Sequence, residues 1–343
     1  MKLFLFLCAA LALSAQTKFE VDPSWPKPLP DGWITGQLGG VCVDAHDHIV
    51  VVNRRDITDE EKETSKQAPP IMMFDSEGAL VRSFGDPDMV PNSIHGCGFD
   101  AGNNVWVGGN SDGIIQKYSH DGMLLTQIGM RGKFDTSDGT AKGKLQNSST
   151  NSFYFPAGIA VDPKSGDVFV ADGYGNRRVA VFDKNGNFLR QWGRQANKTE
   201  IENGVGGVFA QYVHCIALGN DGLVYVCDRH GDRVQVFDQM GNFKRNIWIR
   251  TGTPTLPDPR GTAWWVAFSR DPAQKYMYVM DGRAEMVRVL DRESGKILTS
   301  FGRPGHQIGN FTHGHTIALD SKGNLYVAET NWGRRVQKFK LVP

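Results

Sequence analysis

The chain has 343 residues, with 38 Lys and Arg against 37 Asp and Glu, for a formal charge of +1. Acidic and basic residues are intermixed, which leaves no electrostatic footprint for nucleic acid or an anionic membrane surface. Beyond Cys8 it holds only Cys42, Cys97, Cys215 and Cys227, too few for a disulfide-dense scaffold, so a hydrophobic core must carry the fold.

The N-terminus reads "MKLFLFLCAALALSAQ", with Lys2, an apolar stretch from Leu3 to Leu13 and small residues around Ala12 to Ala15. That is the layout of a secretory signal over residues 1–15, and it is shorter than a stable bilayer-spanning helix. A secreted or periplasmic protein is therefore expected, soluble once the signal is removed. The four remaining cysteines are an even number in a compartment that permits disulfides, with connectivity left open.

From residue 39 onward one unit recurs about every 50 to 60 residues, a period that marks repeat architecture. Its clearest copy runs from Ala157 to Gly193 and holds four short strands, "GIAVD", "DVFVAD", "RRVAVFD" and "NFLRQWG", separated by Gly, Asn, Asp and Pro turns. Four antiparallel strands make one propeller blade. The first strand returns as "GGVCVD", "HGCGFD", "AGIAVD", "HCIAL", "WWVAF" and "HTIALD", and the fourth as "ALVRSFG", "MLLTQIG", "NFLRQWG", "NFKRNIW" and "KILTSFG". Six first strands and five fourth strands leave the last blade without its outer strand. The expected donor is "TKFEVD", Thr17 to Asp22, which closes the ring and buries edges that would otherwise be exposed. The reading is an all-β, six-bladed β-propeller over residues 16–343, with no second domain.

In chain order, the first blade contributes Arg54, which follows its second strand in "VVVNRRD". His95 opens the first strand of blade 2, and Tyr174 follows the second strand of blade 3 in "VADGYGNRR". Blade 4 supplies His214 at the start of its first strand and Arg229 after its second, the latter in the repeat position of Arg54. Blade 6 has His315 at the start of its first strand, with His313 two residues earlier. Thus His95, His214 and His315 share one position in blades 2, 4 and 6, while Gly39, Ala157 and Trp264 hold it in blades 1, 3 and 5.

Innermost strands surround a propeller axis, so these three imidazoles are expected to converge on it roughly 120° apart. Neutral imidazole favours Zn²⁺, with Cu, Ni or Fe as other options, and three protein ligands leave a position open for water or substrate. The second strand runs antiparallel to the first, which places Arg54, Tyr174 and Arg229 at the same end. A guanidinium fork matches a carboxylate, and nearby positive charge favours a phenolate. Long polar insertions after the second strand of blade 1, and between blades 2 and 3 and blades 3 and 4, open on that end, which suits mobile walls or a lid. His46, His48, His120, His230 and His306 lie in turns or off this register and are read as surface residues.

The turns "GNRRV", "GDRVQVF" and "GRRVQKF" resemble the NHL repeat, in which Arg177, Arg178, Arg233, Arg334 and Arg335 serve as framework. "HGCGFDAGNNVWV", "VFVADGYGNRRVAVFDKNGNFLRQWG", "HCIALGNDGLVYVCDR" and "HTIALDSKGNLYVAET" further resemble the peptidyl-α-hydroxyglycine α-amidating lyase (peptidylamidoglycolate lyase) family, six-bladed zinc propellers. The resemblance implies His95, His214 and His315 as zinc ligands, Tyr174 as the base, and Arg54 and Arg229 as substrate and electrostatic groups. It implies C–N bond cleavage of a peptidyl-α-hydroxyglycine-like carbinolamide to an amide plus glyoxylate. The partner would be a small molecule or peptide C-terminus bearing a carboxylate, and the chain is expected to be a monomer.

Three departures stand out. His313 replaces the family's Met two residues before the third zinc ligand, and Thr316 replaces the acidic residue after it, which makes a structural calcium doubtful. Gly175 replaces the family's cysteine, so that disulfide cannot form, whereas Cys215 and Cys227 lie on one hairpin and can pair. Two other readings compete: a non-catalytic NHL propeller binding a peptide or cell-envelope ligand, and, less favoured, a lactonase-like hydrolase. The latter needs carboxylate and amide metal ligands that the register does not supply.

Overall fold

Six sheets of four antiparallel strands surround one axis in the computed structural model, which describes residues 18–249 and 260–342. The expected signal sequence lies outside the described residues. The innermost strands are Leu38–Val43, Ile94–Phe99, Pro156–Val161, Val213–Leu218, Ala263–Phe268 and Gly314–Leu319 in blades 1 to 6. Each begins one residue earlier than the sequence pattern places it. In blade 6 the outer strand is Lys18–Val21, paired antiparallel with Val336–Val342, so the ring closes as expected.

Strand composition follows position in the sheet. The second strands, such as Val168–Asp172 and Ile49–Asn53, are buried along their whole length because adjacent blades cover both faces. Both alternating sets of side chains must then be apolar, as in other doubly covered sheets. Outer strands keep one set in water, so Ile297–Phe301 alternates partly buried with exposed residues. Core clusters form at the blade seams: Phe182 and Val170 of blade 3 pack with Trp106 and Ile115 of blade 2, and Phe237 of blade 4 packs with Phe169 of blade 3.

One ion pair per blade stitches the second strand to the third in blades 3 to 6. Asp172 meets Arg178 at 2.9 Å, Asp228 meets Arg233 at 2.8 Å, Asp281 meets Arg288 at 3.0 Å and Glu329 meets Arg335 at 2.7 Å. Burial pushes the Asp172 and Asp228 carboxyls up, and the arginines pull against it. Removing one partner of such a pair strands a buried charge, which typically costs about 3–5 kcal/mol. Arg334 instead binds Glu61 at 2.7 Å and the Thr35 carbonyl. The framework reading of these arginines therefore holds.

The long insertions are ordered by local chemistry. In blade 1, helix Asp59–Thr64 starts from a capping box between Thr58 and Glu61, and helix Lys198–Glu202 starts from one between Asn197 and Glu200. Between blades 2 and 3, buried Asp135 pins the insertion by accepting from Asn176 Nδ2 at 2.9 Å and Ser148 N at 2.8 Å. These walls are anchored at their base. Among the described residues, no helix is long and apolar enough to cross a membrane.

Two disulfides complete the frame. Cys42–Cys97 joins the inner strands of blades 1 and 2, and Cys215–Cys227 closes the blade 4 hairpin.

Candidate metal centre

Every innermost strand breaks its ladder with a β-bulge near its start. The bulged position is Gly39, Ala157, Trp264 and His315 in blades 1, 3, 5 and 6; it is Gly96, beside His95, in blade 2, and spans His214 and Cys215 in blade 4. A bulge re-aims the local side chain. Here it brings side chains toward the axis. Blade 1 must carry glycine at this place, since a Cβ on Gly39 would lie 1.9 Å from the Ile94 carbonyl oxygen.

The three histidines meet as expected. His95, His214 and His315 are buried, with ligand-capable nitrogens all within 4.8 Å of one another. Ring centroids are 4.6 to 5.1 Å apart and the planes stand at 79° to 85°, so each imidazole presents an edge to the next. Trp265 lies beneath them, 6.3 Å from His95 and 6.1 Å from His214. Below it a cavity of about 240 Å³ continues along the axis toward the opposite end.

Odd-numbered blades hold the rings of even-numbered ones. The Ala157 carbonyl of blade 3 lies 3.2 Å from His95 Nδ1, and the Trp264 carbonyl of blade 5 lies 2.7 Å from His214 Nδ1. Donation to a carbonyl fixes the tautomer and leaves Nε2 with its lone pair free, as in orienting shells around metal-bound histidines. The pattern stops at the ring seam, where buried His315 Nδ1 has no hydrogen-bond partner among the described residues. Burial first, then for His95 the Arg54 charge and for His214 and His315 the neighbouring imidazoles followed by Arg54 and Arg229, holds all three well below the usual histidine range. They are therefore neutral at physiological pH, the form that binds metal.

Tyr174 spans two of the ligand nitrogens. Its hydroxyl is 3.2 Å from His95 Nε2 and 3.0 Å from His214 Nε2. Its loop is held by Arg177, which donates to the carbonyls of Gly173 at 3.1 Å and Gly175 at 2.9 Å. A side chain at Gly175 would overlap the Tyr154 ring, at 2.2 Å, so the cysteine of the amidating lyases has no room in this loop.

Both predicted cations border Tyr174. Arg54 donates to Gln37 Oε1 at 3.0 Å and Thr330 Oγ1 at 3.3 Å, and Arg229 lies 3.7 Å above the Trp264 ring with its Nε 2.8 Å from the Arg260 carbonyl. Burial lowers the proton affinity of both guanidiniums, and their proximity to the Tyr174 oxygen works against that. This cationic rim suits an anionic substrate group.

Three residues escaped the sequence reading. Tyr212 stacks on Tyr174 at 4.6 Å, Gln37 ties Arg54 to Thr330, and Arg260 lies close enough to His313 to depress its proton affinity, after burial. Gln37, Tyr212 and His313 share a signal, since each precedes the bulge-position residue of its blade (Gly39, His214, His315) by two. They form a row above the axial one. His313 itself is half-buried with a left-handed φ of 57° and is not among the three converging ligands. Thr316 accepts the Val41 amide at 2.9 Å, so its hydroxyl secures the seam between blades 6 and 1.

Comparison with known proteins fits this geometry. The NHL repeat model matches residues 153–182 and 211–237, which cover the first three strands of blades 3 and 4. The six-bladed propeller carries NHL repeats in these two blades. The chain is similar to human NHL repeat-containing protein 3, at 25% identity over 94% of this chain and 84% of that one. It is also similar to the probable peptidyl-alpha-hydroxyglycine alpha-amidating lyase of Caenorhabditis elegans, at 24% identity over 86% of this chain and 80% of that one. This NHL propeller is thus distantly related to the amidating lyases, as the sequence resemblance implied. Among solved structures, a streptogramin B lyase superposes with a TM-score of 0.57 at 12% identity, covering 95% of this chain and 98% of that one, a likeness of fold alone.

The donor set fits a metal on the axis. Three neutral imidazoles converge in a buried site, two are oriented through Nδ1, and the third has a buried nitrogen that no group among the described residues satisfies. Such all-nitrogen sites suit Zn²⁺ or a related divalent ion.

Proposed function

We propose that this protein is a metal-dependent lyase that cleaves the C–N bond of an α-hydroxyglycine-like carbinolamide. The observation that carries the reading is the Tyr174 hydroxyl poised over two oriented imidazoles, beneath two guanidiniums. His95, His214 and His315 would hold a Zn²⁺-class ion, which when bound supplies Lewis-acid polarisation of substrate oxygens.

The protein's own residues account for the rest. Arg229 or Arg54 pairs with the substrate carboxylate and fixes its orientation. Tyr174 as the phenolate takes the proton from the carbinol hydroxyl, the C–O bond becomes a carbonyl, and the C–N electron pair leaves on nitrogen, which receives that proton back from Tyr174 to give the amide. One carbinolamide thus yields one amide and one glyoxylate, with no redox change. Pre-set positive charge stabilises the developing oxyanion without reorganisation at the moment of reaction. The anchored loop walls narrow access to the rim.

Purified, zinc-replete protein incubated with α-hydroxyhippurate should release glyoxylate. No release above the uncatalysed rate would overturn this substrate assignment. The competing reading is a non-catalytic NHL propeller that binds a peptide or cell-envelope ligand. On that reading Tyr174→Phe leaves ligand binding intact and there is no turnover to lose.

A further inference from the structure

A second cluster of ligand-type side chains lies at the other end of the ring. Asp44, His46 and His48 sit in the turn between the first two strands of blade 1, and His120 sits in the turn between the last two strands of blade 2. One ligand-capable atom from each of the four falls within 4.8 Å of all the others. His48 Nδ1 and His120 Nε2 approach the same carboxylate oxygen, Asp44 Oδ2, at 2.9 and 3.0 Å, and His46 Nδ1 is 3.9 Å from it. From sequence these three histidines read as surface residues, and their grouping on Asp44 is not anticipated there.

The ring itself shows what this turn looks like without a special task. Asp100, Asp183, Asp238 and Asp320 each cap the same kind of turn through Oδ1, and each gives Oδ2 to an Asn four residues on, at 2.7 to 3.0 Å. Asp44 caps its turn identically, accepting the His46 and His48 amides at 2.8 Å through Oδ1. At the Asn position, however, blade 1 has His48. A second imidazole arrives on the same oxygen from the next blade, and its turn is held by Arg82, which donates to the His120 carbonyl at 2.7 Å. An amide that can only hydrogen-bond has been replaced by a group that also ligates metals.

We propose that Asp44, His46, His48 and His120 form a second metal site, for a Zn²⁺-class divalent ion, that clips blade 1 to blade 2. Three imidazoles with one carboxylate are a borderline N/O set that favours Zn²⁺ over the oxygen-seeking Ca²⁺ or Mg²⁺. Zn–N and Zn–O bonds of about 2.0–2.2 Å put tetrahedral ligands about 3.3 Å apart, near the spacings seen here. The Asp44 side chain is fully buried and fixed by its turn, whereas the His46 side chain is 67% exposed and makes a 2.8 Å contact with Asn103. Four protein ligands leave no open position, so the site is structural.

The test compares full-length protein with a His48→Asn/His120→Gln variant, which restores the Asn of the sister turns and the Gln239 of the equivalent blade 4 turn. Both proteins are stripped with chelator, titrated with Zn²⁺ alone and assayed for tightly bound metal, with circular dichroism confirming the fold of each. The variant should bind one equivalent fewer than the parent chain, whatever the axial histidines contribute. Equal stoichiometry in the two proteins would overturn the site and leave the cluster as a hydrogen-bonded turn.

Discussion

The two ends of the propeller gather histidines by opposite routes. At the loop-rich end, His95, His214 and His315 come from one repeat position in alternate blades, and a bulged inner strand turns each toward the axis. At the other end, His46, His48 and His120 come from different positions in two adjacent blades and meet on one buried carboxylate. The first arrangement uses the symmetry of the ring and leaves space above the three imidazoles for Tyr174 and two guanidiniums. The second uses a local turn and, on the proposal above, would fill a coordination sphere with its own four side chains. An open, cation-rimmed centre suits chemistry, and a closed one suits stability.

The largest contrast should come from the tyrosine. Tyr174→Phe is expected to lower kcat for glyoxylate release by about 10²- to 10⁴-fold, the usual worth of a positioned acid–base group, with bound metal unchanged. Loss of metal along with activity would recast Tyr174 as a support for the histidines.

Next in size is the bridge between the two ends. Cys42 lies two residues before Asp44 and Cys97 two after His95, and their disulfide closes a loop with a sequence separation of 55. Loop entropy assigns such a crosslink about 4 kcal/mol, so Cys42→Ala/Cys97→Ala should lower the denaturant midpoint substantially and weaken metal binding at both ends. An unchanged midpoint would show that the blade seam, and not the bridge, holds the two sites in place.

The smallest effect belongs to the turn. His48→Asn/His120→Gln should leave turnover within about twofold of the parent, as expected for surface substitutions away from the reacting groups. A larger loss in kcat would mean that the two ends communicate through the axis.

How much of this was readable in the sequence follows from the same contrast. Period, strand alternation and turn residues defined six blades, and comparison of equivalent positions singled out His95, His214 and His315 as well as the Arg54 and Arg229 pair. The same comparison, moved back by two residues, contains Gln37, Tyr212 and His313, but residues this varied form no pattern until the bulges reveal that the row faces the rim. The Ala157 and Trp264 carbonyls that fix two ligand rings are backbone groups and leave no trace in residue type. The Asp44 cluster stayed hidden because it joins non-equivalent turns, which no alignment of repeats superposes.

Anomalous diffraction at the zinc edge, on crystals grown with Zn²⁺, tests the central claim most directly. The account predicts a peak on the axis bonded at about 2.0–2.1 Å to nitrogens of His95, His214 and His315. A zinc-soaked crystal with no anomalous peak between those three imidazoles would contradict it.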